Sequence, residues 1–129
     1  PNPPSRWPGR AKLAQTHAAV GRVFRIAERN EDLDWYDLYK IHEIIRDDIK
    51  SDDIGAKGWE NKIEKLGWST KVKDSAFTAS ADRFDVSGES ARHAVTRHAE
   101  PPKHTMTLRE GRDYIRNLVM RWVDYRNGV

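Results

Sequence analysis

The sequence predicts an all-α fold: a small bundle of four to five helices preceded by an extended, proline-rich N-terminal arm. Apolar residues recur at helical spacing in several segments, and strand-like alternation never persists beyond a few positions. The 129 residues have the size of one domain, and five Trp, four Tyr and three Phe supply bulk for one core. We therefore expect a linker or arm over residues 1–10 and a single helical domain over residues 11–129.

The predicted arm holds four of the six prolines, which favours extended backbone. Residues 11–15 either continue this arm or form a short strand. Thr16 is the predicted N-cap of the first helix, since an apolar stripe at helical spacing follows it, consisting of Val20, Val23, Phe24 and Ala27.

The second helix has the clearest local signals. Asp34 is its predicted N-cap and Asp37 favours the positive end of the helix dipole. One face carries Trp35, Leu38, Tyr39, His42, Ile45 and Ile49. On this apolar face we expect His42 to bond a carbonyl at the core edge, with a role beside Arg92 as the alternative.

Four further helical segments are predicted. A short one runs from Trp59 to Leu66, and Ser69 starts the next, with Val72, Ala76 and Ala79 directed inward. A segment over residues 91–94, capped by Ser87 or Ser90, is stopped by Pro101 and Pro102. The last helix has a Thr107–Glu110 capping box and a long inward stripe of Leu108, Ile115, Leu118, Val119, Trp122 and Tyr125.

Composition excludes several classes of protein. The chain has no cysteine, which rules out disulfides and thiol catalysis. No apolar run approaches the roughly 20 residues of a membrane helix, and no signal peptide is visible, so we expect a cytoplasmic protein without membrane contact. Because the chain starts at Pro1 rather than Met, we expect a processed or excised piece of a larger parent chain. A partner protein is a separate expectation.

No cofactor or metal ion is expected. The chain lacks a phosphate loop, a dinucleotide fingerprint and paired histidines at helical spacing. The acidic cluster of Asp47, Asp48, Asp52 and Asp53 lacks the spacing of a calcium loop. We interpret it as a solvated helix terminus.

Basic charge is concentrated at the C-terminal end. Residues 90–129 carry eight basic and four acidic residues, whereas residues 1–89 carry 15 basic and 16 acidic residues. Seven of the eight cations are arginines, whose guanidinium group suits phosphate. This surplus is typical of a surface for RNA or another phosphate-bearing ligand, although a solvated helix face has the same composition.

The candidate site is the cluster of Arg92, His93, Arg97, His98 and His104, which holds three of the five histidines. Imidazole exchanges protons near neutral pH, and guanidinium binds phosphate. The alternative is structural, because Arg92 and His98 can cap helix ends and pair with acidic neighbours such as Glu89 or Glu100.

Arg92, the polar His93 and His98 resemble the Arg-polar-x-His signature of HEPN domains, which precedes the last long helix of a four-helix bundle. The resemblance covers residues 87–126. It departs from the common pattern at His93, where family members often have Asn or Asp. Arg97 and His104, with six residues between them, satisfy the same spacing.

The resemblance implies metal-independent RNA cleavage, in a bacterial defence or toxin system, at a site formed across a homodimer. His98 would take the proton of a ribose 2′-hydroxyl, Arg92 would hold the scissile phosphate, and His93 would orient the phosphate or serve the second proton transfer. Arg97, His104, Arg109 and Arg112 are the predicted contacts to substrate. Many HEPN domains lack activity and act as binding modules.

The alternative function is a non-catalytic helical interaction module, which binds a partner protein or nucleic acid through its basic C-terminal face. Its functional surface would be Arg109, Arg112, Arg116 and Arg121. An enzyme instead requires Arg92 and His98 to converge on one point of a cleft.

Overall fold

A computed structural model describes residues 7–29, 32–82 and 104–128 of the chain. These residues form six α-helices and no strand, which confirms the all-α prediction with more helices than the four to five expected. The helices are α1 (Trp7–Thr16), α2 (Ala18–Ala27), α3 (Trp35–Ile49), α4 (Trp59–Lys65), α5 (Lys71–Asp82) and α6 (Leu108–Arg126).

The N-terminal prediction was wrong where the structure tests it. Helix α1 begins at Trp7, so residues 7–10 are not an arm and residues 11–15 are neither arm nor strand. Pro8 fits because the first helical turn needs no backbone N–H donor. Arg10 donates from Nε and Nη2 to the two carboxylate oxygens of Asp124, each at 3.0 Å, which ties α1 to α6. Residues 1–6 lie outside the described residues.

The predicted N-cap at Thr16 was also wrong, because Thr16 is the last residue of α1. His17 is the N-cap of α2, and its Nδ1 accepts from the backbone N–H of Val20 at 3.3 Å. At Gly21 an added Cβ would lie 2.7 Å from the carbonyl oxygen of Ala14. Glycine therefore allows α2 to pass close to α1.

Helix α3 is central, since it packs against α2, α5 and α6. Its predicted N-cap is confirmed: Asp34 Oδ1 accepts from the N–H of Asp37 at 2.9 Å, and Asp37 Oδ2 accepts from the N–H of Asp34 at 3.2 Å. The predicted inward face is buried, except that Tyr39 is half-buried.

Helix α4 occupies the predicted segment and covers the C-terminal end of α3. The buried ammonium group of Lys62 donates to the carbonyls of Ile49 at 3.3 Å and Lys50 at 2.7 Å. Ile49 is the last residue of α3 and Lys50 is its C-cap. Carbonyl groups at the C-terminal end of a helix have no N–H donor within the helix. A cation at this end also complements the helix dipole.

The predicted inward face of α5 was partly wrong. Ala76 is buried as expected, but Val72 is 54% exposed and Ala79 is only half-buried. Asp74, Phe77 and Ala81, at positions i, i+3 and i+7, are buried instead. The hydrogen bonds of Asp74 to other helices determine which face of α5 is buried. The spacing of apolar residues alone does not reveal this face.

Helix α6 begins as predicted. Thr107 Oγ1 accepts from the N–H of Glu110 at 3.1 Å, and Glu110 Oε1 accepts from the N–H of Thr107 at 3.0 Å. Four members of its predicted stripe are buried, namely Ile115, Leu118, Val119 and Trp122. Leu108 and Tyr125, at the two ends of the stripe, are half-buried.

The surroundings of Gly111 show how closely α6 packs on α3. A Cβ at this position would lie 2.6 and 2.7 Å from two ring atoms of the buried Trp35. Alanine normally stabilises a helix relative to glycine, but here we expect Gly111→Ala to lower the free energy of unfolding by about 1–3 kcal/mol through overpacking. Urea unfolding checks this, with Asn117→Ala on the exposed face of α6 as the control. A Gly111→Ala midpoint at or above that of the wild type would contradict the packing.

Candidate functional site

Four residues of the predicted cluster, Arg92, His93, Arg97 and His98, lie outside the described residues. The predicted caps Ser87 and Ser90 and the breaker Pro101–Pro102 lie outside them as well. The structure describes His104, Arg109 and Arg112, together with both flanks of residues 83–103.

These two flanks meet at one place. The backbone N–H of Met106 donates to the buried hydroxyl of Ser80 at 2.7 Å, which joins the start of α6 to the last turn of α5. The Thr107–Glu110 capping box then directs the chain into α6. Consequently, the described residues on the two sides of residues 83–103 lie at the same end of the bundle.

The arginines of α6 have different environments. Arg112 is half-buried and donates from Nε to the carbonyl of Leu33 at 2.9 Å, and Arg121 donates to the carbonyl of Gly67 at 2.6 Å. Arg116 is exposed and lies 3.4 Å from Asp113. Arg109 is exposed, as is His104. Arg112 and Arg121 thus stabilise loops. Each uses one N–H group for the loop carbonyl, and a guanidinium carries five N–H donors.

Sequence reasoning missed a buried polar cluster around Asp74, which we call the Asp74 hub: Asp74 with His42, Trp59 and Tyr114. Asp74 Oδ1 lies 2.8 Å from His42 Nε2 and 2.7 Å from the Tyr114 hydroxyl, and Oδ2 accepts from Trp59 Nε1 at 2.8 Å. The Tyr114 hydroxyl is also 2.9 Å from Ser69 Oγ. Because a phenol has one proton, which serves the carboxylate, Ser69 donates to the phenol oxygen.

The hub holds a carboxylate in its charged form. Burial alone would raise the pKa of Asp74, but the hydrogen bonds from His42, Tyr114 and Trp59 lower it below its ordinary value. Burial and the adjacent Asp74 carboxylate raise the pKa of Tyr114, which therefore stays protonated and donates. The hub is a stabilising network in which all three donors serve one acceptor.

His42 is enclosed rather than poised for chemistry. It is fully buried, and its ring lies 5.2 Å from the ring of Phe77 in a stacked arrangement and 5.4 Å from Trp59 edge-on. Nε2 is engaged by Asp74, while Nδ1 is buried with no partner among the described residues. A general acid or base must reach its substrate, so the enclosed His42 side chain has a structural role. The prediction that His42 bonds a carbonyl was wrong, because its partner is the carboxylate of Asp74.

The sequence contained a signal for Asp74 that the prediction did not use. Asp74 shares a helical face with Phe77 and Ala81, and a carboxylate on an apolar stripe requires buried donors. His42 lies on the apolar face of α3 and is such a donor. The pairing spans 32 positions of sequence, which no local pattern indicates.

The interpretation of the acidic cluster as a solvated helix terminus was wrong for Asp48 and Asp52. Asp48 Oδ2 accepts from Trp122 Nε1 at 2.9 Å and from Arg126 Nε at 2.7 Å. Asp52 Oδ2 accepts from Arg126 Nη1 at 2.9 Å and from the Tyr125 hydroxyl at 3.0 Å. These carboxylates hold the C-terminal end of α6 against α3 and the loop after it.

Burial alone would raise the pKa of Asp52, but the hydrogen bonds from Arg126 and Tyr125 and the Arg126 charge lower it below its ordinary value of 3.8. Burial acts to lower the pKa of Arg126, yet its bonds to Asp52 and Asp48 raise it. The ion pair therefore persists at neutral pH.

The described part of the chain contains no group of three or more His, Cys, Asp or Glu residues arranged to hold a metal ion. None of the described helices is long and apolar enough to cross a membrane.

Comparisons with known proteins found no match among family models, curated proteins or solved structures. The resemblance to HEPN domains thus rests on the residues that carry it, Arg92, His93 and His98, and remains a prediction.

The Asp74 hub leads to a stability prediction. In Asp74→Asn an amide replaces the carboxylate, so its NH2 group faces a buried donor and at least one hydrogen bond is lost. Leaving buried donors unpaired should lower the free energy of unfolding by about 3 kcal/mol. Urea unfolding measures this, with exposed Asp47→Asn on α3 as a control that should stay within about 0.5 kcal/mol of wild type. Equal midpoints for both variants would refute the hub.

The lowered pKa of Asp52 leads to a prediction about pH. A carboxylate whose pKa is lower in the folded state stabilises the fold above its unfolded value, and this contribution disappears as the pH falls through the folded-state pKa. The urea midpoint of the wild type should therefore be higher than that of Asp52→Asn at pH 7, and the two midpoints should converge as the pH falls below 3.8. Exposed Asp32→Asn is the control and should differ less at pH 7. A difference between wild type and Asp52→Asn that is unchanged at pH 2 would contradict this assignment.

Proposed function

We propose that this chain is a HEPN-like domain that cleaves RNA without a metal ion, with Arg92, His93 and His98 as its reactive residues. The observation that carries the proposal is the hydrogen bond between Met106 and Ser80, which joins the two described flanks of the segment bearing these residues. Both flanks therefore lie beside the first turn of α6, which carries the predicted substrate contact Arg109.

The fold supports the proposal in a second way. HEPN-like chains place their motif before the last long helix of a helical bundle. Here α6 is the longest described helix, at 19 residues, and it packs on the central helix α3 directly after the segment. Its start is defined by a complete capping box at Thr107, four residues after the segment.

The proposed chemistry needs only side chains. His98 takes the proton of a ribose 2′-hydroxyl, and the 2′-oxygen attacks the adjacent phosphorus. The bond to the 5′-oxygen breaks, and that oxygen receives a proton from a second group, for which His93 is the candidate. The products are a 2′,3′-cyclic phosphate and a 5′-hydroxyl. Arg92 stabilises the negative charge on the phosphorane as it develops.

Substrate binding is proposed for the surrounding cations. Arg97, His104, Arg109 and Arg112 would bind the phosphate backbone, since cations there supply most of the sequence-independent affinity. The exposed His104 lies two residues before the Met106 anchor, and the exposed Arg109 lies in the first turn of α6. Arg112 contributes less than a free guanidinium, because its Nε already serves Leu33. We expect a homodimer to complete the site.

The test is cleavage of a mixed RNA pool in EDTA by the purified chain and by four variants. Arg92→Ala and His98→Ala should each reduce the rate at least about 100-fold, as loss of a general base or a charge-stabilising donor does. Arg97→Ala and His104→Ala, which alter the second pair of the same spacing, should lower the rate less and mainly by weakening RNA binding.

Exposed Arg22→Ala on α2 is the matched control for loss of one positive charge. Terminal cyclic phosphate on the fragments would identify the reaction. Cleavage that survives both Arg92→Ala and His98→Ala, or no cleavage by any protein, would reject the nuclease site and favour a non-catalytic binding module.

A further inference from the structure

A cavity of about 300 Å³ lies between α2, α3 and α6. Helices α2 and α6 both pack on α3, and the cavity is the space between them. Its wall is formed largely by apolar side chains, among them Phe24, Ala27, Ile41, Ile115, Val119 and Met120. We call this space the interhelical cavity.

Charged side chains also line the interhelical cavity. Arg112 and Arg116 of α6 and Glu28 of α2 contribute to it, so the cations outnumber the carboxylate. The hydrogen bond from Arg112 Nε to the Leu33 carbonyl fixes the position of that guanidinium. Arg116 Nη1 also lies 3.4 Å from Asp113 Oδ1, at the protein surface. An apolar space with a few placed polar groups is typical of small-molecule sites, and a guanidinium group favours a carboxylate.

The size of the cavity limits the ligand. At about 30 Å³ for each water-sized group, about ten such groups fill it. That corresponds to one alkyl chain of about eight to ten carbons, with its headgroup at the arginines.

The surrounding surface disfavours a macromolecular occupant. In the described part of the chain the large exposed apolar side chains are Tyr36 and Val72, and neither lines the cavity. A stable protein interface requires roughly 1,000 Å² or more of buried surface around its anchor. Here a small apolar space is flanked by charged residues instead of an apolar collar.

We propose that the interhelical cavity binds a medium-chain carboxylate, with its alkyl chain between α2 and α6 and its carboxylate at Arg116 and Arg112. This goes beyond the proposed ribonuclease function: it uses neither Arg92 nor His98, although it shares Arg112 with the predicted RNA contacts. The binding is non-covalent and leaves the ligand chemically unchanged.

Titration with decanoate, below the concentration at which it forms micelles, tests the proposal. Binding is followed by isothermal titration calorimetry and by methyl NMR signals of Ile41, Ile115 and Val119. We expect saturable binding with one site per chain and shifts concentrated on these methyl groups. Absence of saturable binding, or shifts spread over the whole chain, would overturn the proposal.

Two variants separate the alkyl and carboxylate contacts. Ala27→Leu fills part of the cavity from a half-buried position on α2 and should weaken decanoate binding at least tenfold. Arg116→Gln, at an exposed position, should weaken decanoate binding about threefold to tenfold and leave binding of the neutral decanol unchanged. Thermal unfolding confirms that each variant is folded.

Arg22→Gln, exposed on α2 and outside the cavity, is the matched control and should bind decanoate as the wild type does. Decanoate affinity that is insensitive to Ala27→Leu would place the ligand elsewhere and overturn the proposal. A ligand-induced dimer whose interface covers the cavity would do so too, because the occupant would then be a second copy of the chain.

Discussion

The buried carboxylate of Asp74 organises this fold. It lies on α5 and receives hydrogen bonds from His42 on α3, Trp59 on α4 and Tyr114 on α6. A buried charge is tolerated only when its partners remain in place, and losing one partner costs far more than the pair contributes. Four helices therefore have one common constraint on their rotation and separation. The exposure of Val72 on α5 is a direct consequence, since Asp74 and Val72 cannot both face the core.

The last helix depends on two further polar anchors. Asp48 and Asp52 bind Arg126 near its C-terminal end, while Ser80 binds the chain just before its N-terminal end. Between these anchors Ile115, Leu118 and Trp122 fill the core against α3. Apolar burial supplies most of the driving force for such packing, and the polar anchors select one register of α6. The same anchoring fixes the two flanks of the segment on which the proposed ribonuclease site depends.

Local signals were sufficient to predict much of this structure. The N-cap at Asp34, the capping box at Thr107 and the buried faces of α3 and α6 follow from residues three or four positions apart. Predictions failed where distant contacts decide the outcome. Residues 7–10 are helical partly because Arg10 pairs with Asp124, more than one hundred positions away. The role of Asp74 and the partial burial of Asp48 are likewise set by partners on other helices. Of the candidate site, the described residues include His104, Arg109 and Arg112, and no sequence pattern indicated that Arg112 binds the Leu33 carbonyl.

The most direct test of this account is the protonation and solvent exchange of the Asp74 hub, measured by ¹⁵N NMR at pH 7. We predict that His42 carries a proton on Nε2. That proton and the Trp59 Nε1 proton should exchange with water about as slowly as core backbone amides, because both are donated to a buried carboxylate. A His42 ring with its only proton on Nδ1, or a Trp59 proton that exchanges as rapidly as that of an exposed tryptophan, would contradict the hub as the central constraint of the fold.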